Sequence, residues 1–505
     1  MPGADLSPAP SSDVIPIWRS DTRPHPRRAE SARRLARLAL ACLVVAAAIA
    51  WLNRHHIEQQ NIYRFNYLPM AEYFRGGPRP ALITYPLWGY PALLAFLPAP
   101  AITSVALQVL LAVALVVALY ATMAPFVASR RLARALCVGA VPVWSLASLK
   151  LADPWATLLG AFGVLALARA LALRRLRWAL ASGACFGAAL NFRSDLVSVL
   201  PLLVVVLALL APRLAWSRRR EIAVTVAVAF VAIVPWGLFR VAEDEPFGIS
   251  STNGGMVLYS ALGFAGNPWG IVGIDRERVW DVQRALGPDA RPASVEGDRY
   301  LRARAFALIR EHPLQYVRKV LHDFAASVAL GSYGIEVEPF LREDDFLRFE
   351  VLKEQLKLAV GMAPNTHDID GFRRAGVWSD APTLASIPWR VLLAAGLRSA
   401  NSLVTGAFLL ATLLASLWIV VADRRWLERP VVVTLLAAFL STWGFVCAVW
   451  YQPRYTNGLY VFGLPILLIA AESLRRHFGA RRVTSMPGGR ARPVRPPVTP
   501  AQRSR

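Results

Sequence analysis

A chain of 505 residues that is 55% hydrophobic, with a mean hydropathy of +0.41, is too apolar for a soluble multidomain protein and reads as an all-α polytopic membrane protein. Its net charge of +23 does not point to nucleic acid, because most of the excess arginine lies in short clusters between apolar runs, where it sets orientation. Cys42, Cys137, Cys185 and Cys447 all fall inside apolar runs, which argues against disulfides and against a zinc site.

In chain order, residues 1–34 are rich in Pro, Ser, Asp and Arg without an apolar period and read as a disordered basic cytoplasmic leader, not a removable signal peptide. Leu35–Leu52 is the first span, opening a block of seven over residues 35–241. Residues 53–90 form a polar and aromatic first loop, followed by a short apolar piece at Pro91–Leu97. The second span, Ile102–Val127, is closed by Arg130, Arg131 and Arg134, and the third is Leu136–Leu149. Asp153-Pro154 turns into the fourth, Trp155–Leu173, closed by Arg174, Arg175 and Arg177. The fifth, Trp178–Phe192, meets Arg193-Ser194-Asp195, and the sixth, Leu196–Leu210, ends in the cluster Arg213 to Arg220. The seventh, Ile222–Leu238, ends at Pro235-Trp236 and Arg240.

Residues 242–399 then make a large loop in which Tyr300–Ile309 and His312–Phe324 are amphipathic helical patterns suited to the membrane face. Within residues 400–475, Leu403–Val421, Pro430–Val449 and Leu459–Glu472 complete a bundle of about ten spans. Residues 476–505 are a disordered basic tail. With the leader in the cytoplasm every arginine cluster falls on one side, so the expected setting is a bacterial inner membrane. The first loop, Asp153, the Arg193–Asp195 turn, Arg240, the large loop and Tyr451–Tyr455 then face outward.

Charges at the hydrocarbon boundary are costly unless paired or functional. Asp153, Arg193 with Asp195, Arg240 and Arg454 form a crown of such charges around an outward cavity. Arginine and aromatic residues at the interface suit a phosphate carried on a long isoprenoid, with Tyr455 beside Arg454. A carboxylate at that level suits a general base, or a divalent cation that neutralises the departing phosphate; the need for a cation stays open. The bland alternative pairs Arg193 with Asp195 and makes Arg240 an interfacial anchor. The adjacent His55 and His56 lack a visible third ligand for a metal.

The order of motifs resembles the multi-spanning C-type glycosyltransferases, the superfamily of protein mannosyltransferases and lipid A aminoarabinose transferases. The similar stretches are Ala71–Gly77 with Tyr85–Pro91, Asp153–Thr157, Asn191–Asp195, Pro235–Arg240, Ser251–Tyr259 with Gly266-Asn267-Pro268, His312-Pro313 and Pro453-Arg454-Tyr455, spread over roughly residues 35–475. The resemblance implies a sugar donor on polyprenyl phosphate and Asp153 as an acidic catalytic position. By the same likeness Arg240 and Arg454 lie near the donor phosphate; Arg193 and Tyr455 are read as phosphate contacts beside them, and Asn61, Asn66, Tyr67 and Asn253 as acceptor or loop contacts. Such proteins carry a further acidic residue in the first loop; here Tyr63 and Arg64 stand in its place, leaving Glu58 as the carboxylate for that role or the chain as a noncatalytic member.

The partners expected are a polyprenyl-phosphate-linked sugar, an envelope glycan, lipid or protein acceptor, and membrane lipids, with no nucleic acid. The large loop, as the main polar surface, is expected to choose the acceptor. Competing classes are a lipid-linked glycan transporter, which predicts repeats that the sequence does not display, and a glycan polymerase or ligase.

Overall fold

The computed structural model describes residues 27–52, 62–127, 129–146, 149, 151–263, 267–271, 275–330, 348–349, 351–352, 355, 387–449 and 457–484. Regular structure among them is helical. The first block contains α1 (Arg27–Leu52), α2 (Leu68–Tyr73), α3 (Gly89–Phe96), α4 (Pro100–Met123), α5 (Arg130–Ser145), α6 (Ala152–Leu173), α7 (Leu176–Phe192), α8 (Leu196–Leu210), α9 (Pro212–Ser217), α10 (Arg219–Val231) and α11 (Val234–Ala242). The large loop holds α12 (Gly254–Ala261), α13 (Asp275–Leu286), α14 (Val295–Glu311) and α15 (Pro313–Leu330). The chain returns through α16 (Trp389–Val421), α17 (Pro430–Val449) and α18 (Asn457–Thr484).

Seven helical stretches are long and apolar enough to cross a membrane: in α1, α4, α6, α10 with α11, α16, α17 and α18. The chain is an α-helical membrane protein. The expected third, fifth and sixth spans are helices α5, α7 and α8 of 16, 17 and 15 residues. At 1.5 Å per residue each is about 24 Å long, short of a hydrocarbon core of about 30 Å. Inner and outer helices differ in burial: 67%, 72% and 67% of the apolar windows of α6, α17 and α18 are buried, against 28–39% for the others. The outer faces carry exposed Leu40, Val44, Leu110, Leu209, Leu403 and Leu414, a surface that needs lipid rather than water.

Three boundaries differ from the sequence reading, one being residues 476–484, expected in the disordered tail but forming the last turns of α18. Residues 27–34, assigned above to a disordered leader, are the first turns of α1; RRAESARR is rich in strong helix formers, which its polarity concealed. The eighth span was placed from Leu403, but α16 starts at Trp389 and is 33 residues long. Its first turns bury Val391 and Ala394 against Phe349 outside the apolar run proper.

Close helix contact inside the bundle depends on small residues. On α7, a side chain at Gly183 would stand 2.6 Å from Val228 Cβ and 2.7 Å from the Thr225 carbonyl, and one at Gly187 would collide with Ala232. The pair Gly183/Gly187 therefore lets α7 and α10 approach backbone to backbone, as small residues four apart do in membranes. Ser182 Oγ donates to the Gly163 carbonyl at 2.8 Å, tying α7 to α6 as well.

Helix α15 joins the large loop to the bundle. One face presents Leu314, Val317 and Leu321 outward, the other buries Lys319, Asp323 and Ser327, and Phe324 at the border stacks on Trp443 of α17. Lys319 Nζ donates to the carbonyls of Cys447, Ala448 and Val449, the last turn of α17, at 3.1, 3.1 and 2.7 Å. Tyr316 Oη donates to Ala448 O at 2.5 Å and Trp443 Nε1 to Ser327 Oγ at 2.9 Å. The amphipathic pattern read over His312–Phe324 is thus a helix with an ionic inner face and an apolar outer one.

Candidate functional site

At one end of the bundle α6 begins, α7 ends, α8 begins and α17 ends, and these termini surround a cavity of about 450 Å³. An aromatic cluster backs it, reaching the cavity through Phe192 and Tyr67. Trp155 and Phe192 stack at 5.5 Å, and Tyr90, buried on Ala152 and Leu94, meets Tyr67 edge-on at 5.0 Å. A single π-helical turn, Tyr63–Tyr67, rests on this cluster and brings Asn66 and Tyr67 of the first loop into the cavity wall.

The first loop is held there by polar contacts. Trp88 Nε1 donates to Asn191 Oδ1, while Asn191 Nδ2 donates to Gly187 O at 2.8 Å and Ala232 O at 3.0 Å. A Cβ at Gly89 would strike the Asn191 carbonyl, so the Trp88-Gly89 step requires glycine. Thr84 and Thr252 share a hydroxyl hydrogen bond of 3.1 Å, Thr252 Oγ1 donates to Ala293 O at 2.6 Å, and Ser194 meets Ser251 at 3.1 Å. The Ser250–Gly254 segment is thereby fixed to the first loop, to the α7–α8 link and to the approach to α14.

Six of the residues singled out in the sequence line the cavity together: Asp153, Arg193, Asp195, Asn66, Tyr67 and Asn253. Asp153 sits in the first turn of α6 and Arg193 in the link after α7. Arg193 donates Nε and Nη2 to the two oxygens of Asp195 at 2.9 and 2.7 Å, and Nη1 to Asp153 Oδ1. The three side chains are 17%, 27% and 12% exposed in the order Arg193, Asp195, Asp153, so solvent screens them only partly. One guanidinium holds two carboxylates in a single geometry and leaves one carboxylate in excess. Pairing of Arg193 with Asp195, the bland alternative above, is present, and Asp153 joins it.

Arg240 does not line the cavity. Its side chain is buried beneath the Ser250–Gly254 segment, with Nη1 donating to Ser250 O at 3.1 Å and Gly248 packed against the same nitrogen. Glu58, Asn61, Arg454 and Tyr455 lie outside the described residues, as do His55 and His56. Among the described residues no three His, Cys, Asp or Glu side chains gather as a metal site. A divalent cation here would have Asp153 and Asp195 as its carboxylate ligands, the two that Arg193 bridges.

Sequence reasoning passed over Arg302 and Ser250 as wall residues, and named Tyr85 and Ser251 only inside motif stretches. Arg278, 2% exposed on α13, is pushed down to about 10 by burial, and the Tyr85 phenol acts in the opposite sense. The remaining wall is apolar: Val257 and Leu258 of α12, Phe306 of α14, and Phe445, Val446 and Val449 of α17. No signal in the linear pattern marks those residues as neighbours, because they come from three helices far apart in the chain.

No protein-family model matches the chain, and no curated protein matches it. Among solved structures the chain is similar to the archaeal oligosaccharyltransferase AglB from Archaeoglobus fulgidus, in complex with an inhibitory peptide and a dolichol-phosphate, with 14% identity over 88% of this chain and a TM-score of 0.38. The match spans about half of that protein, 51% of its chain. A likeness of that size carries no argument about activity, and the chemistry must come from the residues of the cavity.

Proposed function

We propose that this protein is a membrane glycosyltransferase that moves a sugar from a polyprenyl-phosphate donor to an acceptor hydroxyl on the extracytoplasmic side. The observation that carries the reading is the convergence of Asp153, Arg193 and Asp195 with Asn66, Tyr67 and Asn253 on one cavity that is also lined by apolar residues such as Phe306, Phe445 and Val449. A phosphate-linked sugar on a prenyl chain has both characters. Its tail suits Phe306, Phe445 and Val449, and its sugar suits the polar wall.

In this reaction the acceptor oxygen bonds to the anomeric carbon while the bond from that carbon to the phosphate oxygen breaks. The phosphate departs with the bonding pair, and the acceptor proton passes to the Asp153 carboxylate. Arg193 fixes that carboxylate's orientation, and Asp195 fixes Arg193. The motif order that resembles the C-type glycosyltransferases supports the same assignment.

The test uses the full-length protein in nanodiscs, a labelled polyprenyl-phosphate sugar series and an envelope extract as acceptor. Asp153→Asn should lower turnover by about 100-fold or more, the low end of general-base contributions, with a smaller change in KM. Absence of transfer by the unaltered protein, together with unchanged envelope glycans after gene deletion, defeats the reading.

A further inference from the structure

The linker between α16 and α17 lies at the end of the bundle away from the cavity and packs on Ser473 and Arg476 of α18. The carboxylates of this region are engaged by other groups. Asp423 accepts from Arg425 Nε at 2.9 Å on one oxygen, and from Ser473 Oγ at 2.6 Å and Trp426 Nε1 at 2.9 Å on the other. Glu472 of α18 accepts from Arg475 at 3.0 and 2.8 Å and from Arg476 at 2.7 Å. Glu428 is exposed and makes no ion pair among the described residues.

Arg429 is different. Its guanidinium carbon lies 4.5 Å from the Trp426 ring centre and 5.6 Å from that of Phe126, two rings that are themselves buried. Ring faces attract the charge but leave the N–H fork unused, and among the described residues no acceptor meets that fork. Burial lowers the Arg429 guanidinium from its ordinary value, Arg476 adds to this, Asp423 opposes it and Arg425 adds again. A half-buried cation beside like charges and without an acceptor is costly, and an anion would relieve both penalties.

Depth narrows the choice of anion. Arg429 directly precedes Pro430, where the span of α17 begins, and the spans of α16 and α18 end nearby in the chain at Val421 and Phe478. Leu417, Val421 and Phe478 are exposed apolar side chains at this end of the bundle. Arg429 therefore stands at the level of lipid headgroups, with apolar surface for acyl chains close to it in depth.

We propose that Arg429, backed by Trp426 and Phe126 and flanked by Arg476, is a binding site for the phosphate of an anionic phospholipid in the leaflet away from the cavity. The rings hold the planar fork in place before the lipid arrives, which reduces the ordering cost of binding. The bound lipid fastens the start of α17, the helix whose last turns line the cavity. This site stands or falls independently of the transferase reading.

The test is titration calorimetry of delipidated full-length protein in nonionic detergent at fixed ionic strength, with dioctanoyl phosphatidylglycerol, dioctanoyl phosphatidylcholine and inorganic phosphate as probes. Unaltered protein should bind phosphatidylglycerol about tenfold or more tightly than phosphatidylcholine, whose choline cation meets like charge. Arg429→Gln should weaken phosphatidylglycerol binding about tenfold or more, and Arg429→Lys, which keeps the charge but not the fork, about threefold. Arg131→Gln, at an exposed arginine in the first turn of α5 at the same end, should stay within about twofold, the range of general screening effects. Thermal unfolding confirms the fold, and the lysine variant carries the test if the glutamine variant fails to accumulate. Inorganic phosphate bound as tightly as phosphatidylglycerol, with the same dependence on Arg429, supports the anion site and makes its source a free phosphate. Phosphatidylglycerol bound equally by the Arg429→Gln and unaltered proteins overturns the proposal, as do an equal loss in Arg131→Gln, equal affinity for the two lipids, or no binding of any probe.

Discussion

Replacing Lys319 with methionine tests whether α15 holds the cavity wall in place. The lysine is fully buried, and its ammonium has three protons for four oxygens: the carbonyls of Cys447, Ala448 and Val449, and Asp323 Oδ2 at 3.1 Å. Methionine keeps the stem and removes every donor. Taking one partner from a buried ion pair costs about 3–5 kcal/mol, because the remaining charge stays in low dielectric. Tyr316 still serves Ala448 O, and His322 Nδ1 lies 3.3 Å from Asp323 Oδ1, so the lower half of that range applies: about 3 kcal/mol. The assay is SDS-titrated unfolding of the detergent-solubilised protein followed by tryptophan emission, to which Trp443, stacked on Phe324 at 4.8 Å, contributes from this contact. The double variant Lys319→Met/Asp323→Leu should recover most of the loss, since replacing both members of a buried pair by apolar groups is often near neutral. A single variant within about 0.5 kcal/mol of the unaltered protein, the range of surface substitutions without structural consequence, would refute this account of the wall.

At the opposite end of the bundle, burial pushes the Asp423 carboxyl up, but hydrogen bonds from Arg425, Ser473 and Trp426 outweigh it and hold the group below its usual 3.8. A depressed folded-state value means stability that is complete above the unfolded value and disappears as pH falls through the folded one. Unfolding midpoints of the unaltered protein should therefore drop below about pH 4, and Asp423→Asn should lose about 1–3 kcal/mol at neutral pH and show less of that acid dependence, read by thermal scans between pH 3 and 7. Arg240→Ala should cost about 1–3 kcal/mol by leaving the Ser250 carbonyl without its donor, read by calorimetric unfolding against the unaltered protein.

The spans were legible because an apolar helix in a membrane has little freedom to hide: a helix overlaps each of the ten apolar runs read from hydropathy. What hydropathy missed were helical extensions made of mixed residues. The first turns of α1 and of α16 contain Arg27, Arg28, Arg390 and Arg398, which dilute the apolar window while leaving helix propensity intact. Asp153 and Arg193 stood out for a related reason. A charge beside a long apolar run is rare enough to be conspicuous. Arg302 was concealed because α14 also carries Arg299, Arg304 and Arg310, and only the packing of α14 on α12 decides which of them faces the cavity.

The arginines also show why a charge crown read from topology cannot by itself assign an anion grip. Border position tells where a guanidinium lies in depth, not which acceptors of its own chain it meets. Arg240 finds a carbonyl ten residues further on, so its charge serves to hold the Ser250–Gly254 segment rather than a ligand. Arg193 finds two carboxylates, and its charge serves to keep two like charges on one wall. Arg302 meets the Asp298 carboxylate, whose other oxygen accepts from the Gly255 amide, so its charge ties α14 to the start of α12. The acceptors each guanidinium meets after folding, not formal charge at the rim, therefore decide what each of these arginines does.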